Sequence, residues 1–174
     1  MPTTQNPSRS NPKNPLETSL RQLGPGLGQT AAETVGAFFR CEVSAGLMEM
    51  SLPRFADREA LYCTQKNLGE KFKMTCSVAV VRQEWNRLFT DGESNAIKND
   101  ALWELANCVC GSVIADTGFS DEFGYLTPCV PNGDVQRAPA LPVTTTYRCF
   151  VLIKGTAVHF AFTVEESTEI LSPA

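Results

Sequence analysis

Asp100, Glu104 and Asn107 lie four and three residues apart in the stretch NDALWELANCVCG, residues 99–111. On an α-helix that spacing puts their side chains on one side, and Gly111, four residues further, extends the same stripe. At the helical step the four positions span a sector of about 60°. Leu102, Leu105, Val109 and Val113 fall opposite, with Ala106 beside them, which predicts a helix with one apolar and one polar face. The polar face offers two capabilities. Glu104 can pair with a cation, and Asn107 presents a neutral acceptor oxygen and two N–H donors. Two readings stand side by side. The stripe is the wet face of an ordinary helix, with Asp100 as its N-cap, or it is a site. Asn and Gly in mid-helix weigh for the second, because they cost about 0.5 and about 1 kcal/mol relative to Ala.

Other candidate chemistry is sparse. Seven cysteines, at 41, 63, 76, 108, 110, 129 and 149, sit among apolar or strand-like neighbours and are odd in number, which reads as buried thiols in a reducing compartment. Cys108 and Cys110 are two apart and would point roughly 200° away from each other on a helix, so they cannot share a metal ion. There is no CxxC, and His159 is the only histidine, so no zinc site is expected. His159 lies between Val158 and Phe160 in a strand-like run and reads as an outward surface residue. Trp103 projects beside the polar stripe, either packing on the core or meeting a partner. Trp85 reads as core, and Asn132-Gly133-Asp134 as a turn rather than a metal loop.

The elements that must position the stripe come from an ordinary globular composition. The chain has 174 residues, 43% hydrophobic and 20% charged, with a formal net charge of −4, enough for one domain with a real core. No basic patch or Lys/Arg run marks a nucleic-acid partner. No apolar run approaches the roughly 18 residues of a membrane span, and no basic-then-apolar leader pattern opens the chain, so a cytoplasmic protein is expected. Residues 1–28, rich in Pro, Asn and Ser and ending in LGPGLG, read as a disordered arm with a flexible joint. The folded domain is expected over 29–174.

That domain opens with a helix capped by Thr30 and Glu33, its stripe formed by Ala31, Val35, Phe38 and Phe39. Weak strand signals follow in GLMEMSLP and ALYCTQKNLG, and a clear strand in KFKMTCSVAVV, 71–81. RQEWNRLFT reads as a short helix, and DGESN breaks the chain before the polar-striped helix. A loop (DTGFSDEFG), a short strand (YLTPCVPNG) and a Pro-rich connection (DVQRAPALP) come next. Two β-rich runs around Lys154-Gly155 then form a hairpin. Without βαβ alternation, the order implies an α+β domain with an antiparallel or mixed sheet packed against long helices.

The run Asp100-Ala-Leu-Trp-Glu104-Leu-Ala-Asn107-Cys-Val-Cys-Gly111 resembles the Asp/Ser-x-x-x-Glu-x-x-Asn signature, leading into a Gly, of the CheC/CheX family of chemotaxis phosphatases. The flanks agree: MTCSVAVVRQEWNRLF before it, LTPCVPNG after it and a long terminal hairpin. The resemblance spans roughly residues 30 to 166. One copy of the motif is present, which looks more like CheX than like two-site CheC proteins. Cys-Val-Cys after Asn107 departs from the larger aliphatic residues the family more often carries, and residues 41–60 match no part of its pattern.

The resemblance implies a phosphatase that hydrolyses the phospho-aspartate of a CheY-like response regulator in two-component or chemotaxis signalling. Asn107 would orient the water, and Glu104 would anchor the regulator. Asp100, Trp103 and Gly111 would join the partner-binding surface. It implies no cofactor bound by this chain, with Mg²⁺ carried by the regulator. It also implies a homodimer, formed by edge pairing to which the terminal β-rich runs could contribute. Two rivals remain. One is a non-catalytic adaptor that binds a response regulator, as flagellar-switch domains share this fold without catalysis. The other is a thiol or metal protein built on the cysteines, which their scatter opposes.

Overall fold

A computed structural model describes residues 15–48, 60–68, 72–117, 136–137 and 147–166. In chain order these form α1 (Pro15–Phe39), β1 (Ser44–Met48), β2 (Ala60–Leu68), β3 (Phe72–Val81), α2 (Arg82–Asn86), α3 (Asn95–Thr117), β4 (Gln136–Arg137), β5 (Tyr147–Ile153) and β6 (Thr156–Glu166). The strands make one sheet in the order β1-β5-β6-β3-β2-β4, and every pairing is antiparallel. The architecture is therefore α+β, as the element order implied.

Period-two patterning decides which side of the sheet is dry. Leu61 and Cys63 of β2, Met74, Cys76, Val78 and Val80 of β3, the alternate residues from Tyr147 to Ile153 of β5, and Val158, Phe160 and Phe162 of β6 form one buried cluster. The two long helices cover that cluster. Leu27, Ala31 and Val35 enter it from α1, and Leu102, Leu105, Ala106, Val109 and Val113 from α3. The β5–β6 hairpin closes through Lys154 and Gly155, whose φ values of 46° and 80° give the twist that a two-residue hairpin requires.

Four expectations need correction. The expected arm is helical from Pro15 onward, while residues 1–14 lie outside the described residues. Gly24, Pro25, Gly26 and Gly28 lower helix propensity, but Leu27 is 2% exposed in the core, and tertiary packing outweighs local preference. Thr30 is consequently not an N-cap. It lies in mid-helix, and its hydroxyl donates to Asp116 of α3. Asp100 is not an N-cap either, because α3 begins at Asn95 and Ser94 Oγ accepts the Ile97 N–H. Finally, the terminal strands β5 and β6 are interior to the sheet, so neither supplies a dimer edge; among the described strands the edges are β1 and β4. The strand expected in YLTPCVPNG and the turn at Asn132–Asp134 lie outside the described residues.

α1 ends by a C-cap that normally uses glycine. Arg40 adopts φ 50°, its N–H reaches the Ala37 carbonyl at 3.3 Å, and the Cys41 N–H reaches the Gly36 carbonyl at 3.1 Å. This pair of bonds turns the chain sharply into β1. Phe39 then meets Trp85 edge-on at 5.7 Å, and Trp85 meets Phe89 at 5.2 Å. Trp85 is fully buried as expected, and its indole N–H donates to the Lys98 carbonyl at 2.9 Å, fastening the first turn of α3.

Leu105 sits at the centre of the α3 contact and has no exposed surface. Leu105→Ala should lower the unfolding free energy by about 2–5 kcal/mol in a denaturant titration. Leu105→Asp should abolish the cooperative transition, because it buries an unpaired charge. A cooperative Leu105→Asp protein would show that α3 does not pack in this register.

Candidate functional site

The candidate site is the face of α3 turned away from the sheet. Leu102, Leu105, Val109 and Val113 fix its rotation by burying the opposite side. Asp100 and Glu104 are then exposed, and Asn107 and Gly111 half-buried. The helix brings all four onto one stripe, as their spacing implied. Trp103 borders the stripe half-buried and packs against the main core, so the packing role is the one its contacts display.

Gly111 stands in open space. Among the described residues, a Cβ built on it meets no atom within 4 Å beyond its chain neighbours and its own helix backbone. No described element therefore requires a glycine there, although glycine in a helix interior is destabilising. Gly36 of α1 is the contrast, since a Cβ there would come within 3.1 Å of the Cys41 carbonyl.

Three features of the site were not legible in the sequence. Cys108 lies one turn after Glu104, and its thiol donates to the Glu104 carboxylate at 3.7 Å. Partial burial raises the Cys108 pKa above its ordinary value of 9.0, and the adjacent Glu104 carboxylate raises it further. Cys108 therefore stays protonated near neutrality and holds Glu104 against the helix. Ile97 is exposed to 53% and, by helical angle, falls within about 60° of Asp100. Only its position in the first turn could have suggested this. From beneath, β2 donates to two successive α3 carbonyls: Cys63 Sγ to Leu102 O at 3.6 Å and Gln65 Nε2 to Trp103 O at 3.2 Å. The inward alternation Leu61, Cys63, Gln65 carries that signal only once β2 and its dry face are known.

The far end of α3 is fastened to α1. Thr34 Oγ1 donates to Ser112 Oγ at 3.0 Å, four residues from the Thr30–Asp116 bond. Position 30 faces 116 and position 34 faces 112, so the two helices run antiparallel.

The remaining candidates lie elsewhere. His159 is half-buried on the opposite side of the sheet, its ring centroid 5.9 Å from that of Phe150. Cys63, Cys76, Cys110 and Cys149 are buried free thiols, Cys41 and Cys108 are half-buried, and Cys129 lies outside the described residues. Burial alone pushes Cys63 from 9.0 up to about 12. Cys76 is driven well above its ordinary value, first by burial and then by the Cys110, Cys63 and Cys149 thiols around it. Such thiols are packing groups rather than nucleophiles or ligands. Among the described residues, no three His, Cys, Asp or Glu side chains are grouped as ligands for one metal ion. None of the described helices is long and apolar enough to cross a membrane.

The fold is shared with known proteins. A chemotaxis protein CheX from Desulfovibrio desulfuricans superimposes with a TM-score of 0.55 at 12% identity, over 83% of this chain and 99% of the other. A CheX from Vibrio vulnificus gives 0.53 at 13% identity, over 88% and 98%. A chemotactic CheC-like protein from Shewanella oneidensis MR-1 gives 0.53 at 12%, over 84% and 99%. No family model matches the sequence, and no curated protein matches it significantly. The chain thus has the CheX/CheC-like fold, a fold of chemotaxis proteins, reached at very low sequence identity.

The Glu104–Cys108 contact has a chemical signature. Glu104→Gln removes the carboxylate that helps to raise the Cys108 pKa, so more thiolate forms at pH 8 and alkylation of Cys108 by iodoacetamide should speed up. Peptide mapping should find Cys63, Cys76, Cys110 and Cys149 protected in the folded protein of both variants. An unchanged Cys108 rate would mean that the two side chains do not touch in solution.

Proposed function

We propose that this chain is a CheX-like phosphatase that hydrolyses the phospho-aspartate of a CheY-like response regulator. The carrying observation is that Glu104 and Asn107 stand one turn apart on the outward face of α3, beside a glycine that none of the described elements requires. An acyl phosphate is intrinsically labile. It needs no protein nucleophile, only a water held in line with phosphorus and compensation of the developing charge. Mg²⁺ on the regulator would supply much of that compensation. This chain would supply the rest by geometry.

Asn107 suits the water-positioning role because its carboxamide oxygen accepts from the water without repelling the phosphoryl oxygens. Its half-burial limits the rotamers it samples. Glu104, exposed and supported by the Cys108 thiol, would pair with a Lys or Arg of the regulator. Asp100 would add a polar contact at the N-terminal end of the stripe. Gly111 would let the partner approach the helix backbone, and Trp103 would border the contact while remaining packed on the core.

The homodimer belongs to the same reading, but through a different edge. β1, five residues long and at the border of the sheet, replaces the terminal hairpin as the pairing strand. Light scattering at tens of micromolar should give twice the 19.0 kDa chain mass. A monomer would remove this part of the proposal.

The decisive experiment follows phosphate loss from response regulators charged with acetyl phosphate, with and without the protein. Asn107→Ala should lose stimulated release by about 10²- to 10³-fold while still binding the regulator. Glu104→Ala should weaken binding and turnover together. Gly111→Arg should fold as the wild type does and fail to bind. Binding without any stimulated release by the wild-type chain would identify an adaptor instead, and wild-type activity in Asn107→Ala would return the stripe to an ordinary solvated face.

A further inference from the structure

Gln65 is a polar side chain placed where the fold calls for an apolar one. It points inward from β2 between helix and sheet and is 3% exposed. Its Nε2 donates to the Trp103 carbonyl at 3.2 Å, and its Oε1 is buried without a hydrogen-bond partner among the described residues. A buried amide with half its capacity unmet destabilises a core relative to an apolar side chain of the same volume. Stability therefore gives no reason for an amide here.

The carbonyl it reaches gives one. In an α-helix the carbonyl of residue 103 is the acceptor for the backbone N–H of residue 107. Gln65 thus adds a second donor to the carbonyl that ties Asn107 into the helix. Its neighbour on the same face of β2, Cys63, donates to the preceding carbonyl, that of Leu102. The two contacts come from a strand held along its whole length, with Cα partners running from Ala60↔Val81 to Leu68↔Lys73. They meet α3 at the turn that carries Glu104 and Asn107. Other hydrogen bonds reach the helix near its start, from Trp85 to Lys98, and near its end, from Thr34 to Ser112 and from Thr30 to Asp116.

We propose that Gln65 is the positioning residue of the Glu104–Asn107 turn: it trades core stability for a fixed height of that turn above the sheet, with Cys63 as a weaker second tether. Its consequence for catalysis rests on the phosphatase reading; its consequence for the helix does not. Gln65 touches neither regulator nor phosphate in this scheme. It acts through the backbone that sets where the Asn107 carboxamide stands.

The test is Gln65→Met, which keeps length and volume and removes the donor. Three readouts are taken on the full chain: the denaturant midpoint, amide hydrogen exchange along α3, and the kinetics of stimulated phosphate release. The midpoint should be retained or raised. Exchange should quicken by about tenfold in the turn around residues 104–107 and stay unchanged near Lys98 and Ser112. For phosphate release kcat should fall by about 10- to 100-fold with KM within about twofold, since misplacement of a positioned group affects the reacting geometry rather than docking. Unchanged exchange in that turn, or an unchanged kcat in an active protein, overturns the proposal. So does a lowered midpoint with exchange raised evenly along α3, which marks a plain structural residue. If Gln65→Met does not fold, Gln65→Leu is read by the same criteria. A wild-type chain inactive on every regulator removes the phosphatase reading alone, and the exchange pattern then decides the role of Gln65.

Discussion

Everything in this structure turns on the rotation of α3 about its own axis. The helix has to bury Leu102, Leu105, Ala106, Val109 and Val113 against β2 and β3, and that single requirement sends Asp100, Glu104, Asn107 and Gly111 outward. A rotation of one residue, about 100°, would carry the polar stripe toward α1 or the sheet edge and leave leucines in water. The apolar face is thus the device that aims the polar one. Burying each large apolar side chain contributes about 1.5–3 kcal/mol, so the two leucines and two valines of this face hold its orientation far more firmly than any single polar contact could.

Side chains interdigitate across a packed interface, so the same contact resists both rotation and sliding. Directional bonds add fixed points along the axis. Trp85 reaches the Lys98 carbonyl, Cys63 and Gln65 reach the carbonyls of Leu102 and Trp103, and Thr34 and Thr30 reach Ser112 and Asp116. They are spread over the start, middle and end of α3. Together they leave the helix little freedom to translate.

What the sequence disclosed followed from periodicity. The 3.6-residue pattern after Asn99 gave the stripe and its dry side, and period-two runs gave β3 and the terminal hairpin, with Lys154-Gly155 as its turn. What it hid depends on distance in the chain. Gly24, Pro25, Gly26 and Gly28 read locally as a joint, yet Leu27 is buried by elements far downstream, and the helix runs through them. Thr30 looked like a cap because its side chain is a capping type, whereas its hydroxyl serves Asp116, a residue 86 positions away. The terminal strands looked free because nothing follows them in the pattern, but β1 and β3 flank the hairpin on both sides. Gln65 escaped for the same reason: it matters through what it touches on α3, across 38 positions.

The cysteines show how such a fold survives at 12–13% identity to CheX proteins. Cys63, Cys76, Cys110 and Cys149 occupy inward positions of β2, β3, α3 and β5, and their raised pKa values keep the first two neutral. A neutral thiol packs as a small apolar group, so residues that look chemically distinctive are here interchangeable filling. The polar stripe behaves in the opposite way. Asp100 and Glu104 are exposed and Asn107 and Gly111 only half-buried, so packing against the sheet does not prescribe them. A fold of this kind does not specify an activity. What distinguishes this chain from others of the same fold therefore has to be sought among the side chains that packing against the sheet does not prescribe, and the outward face of α3 with Glu104 and Asn107 is such a place.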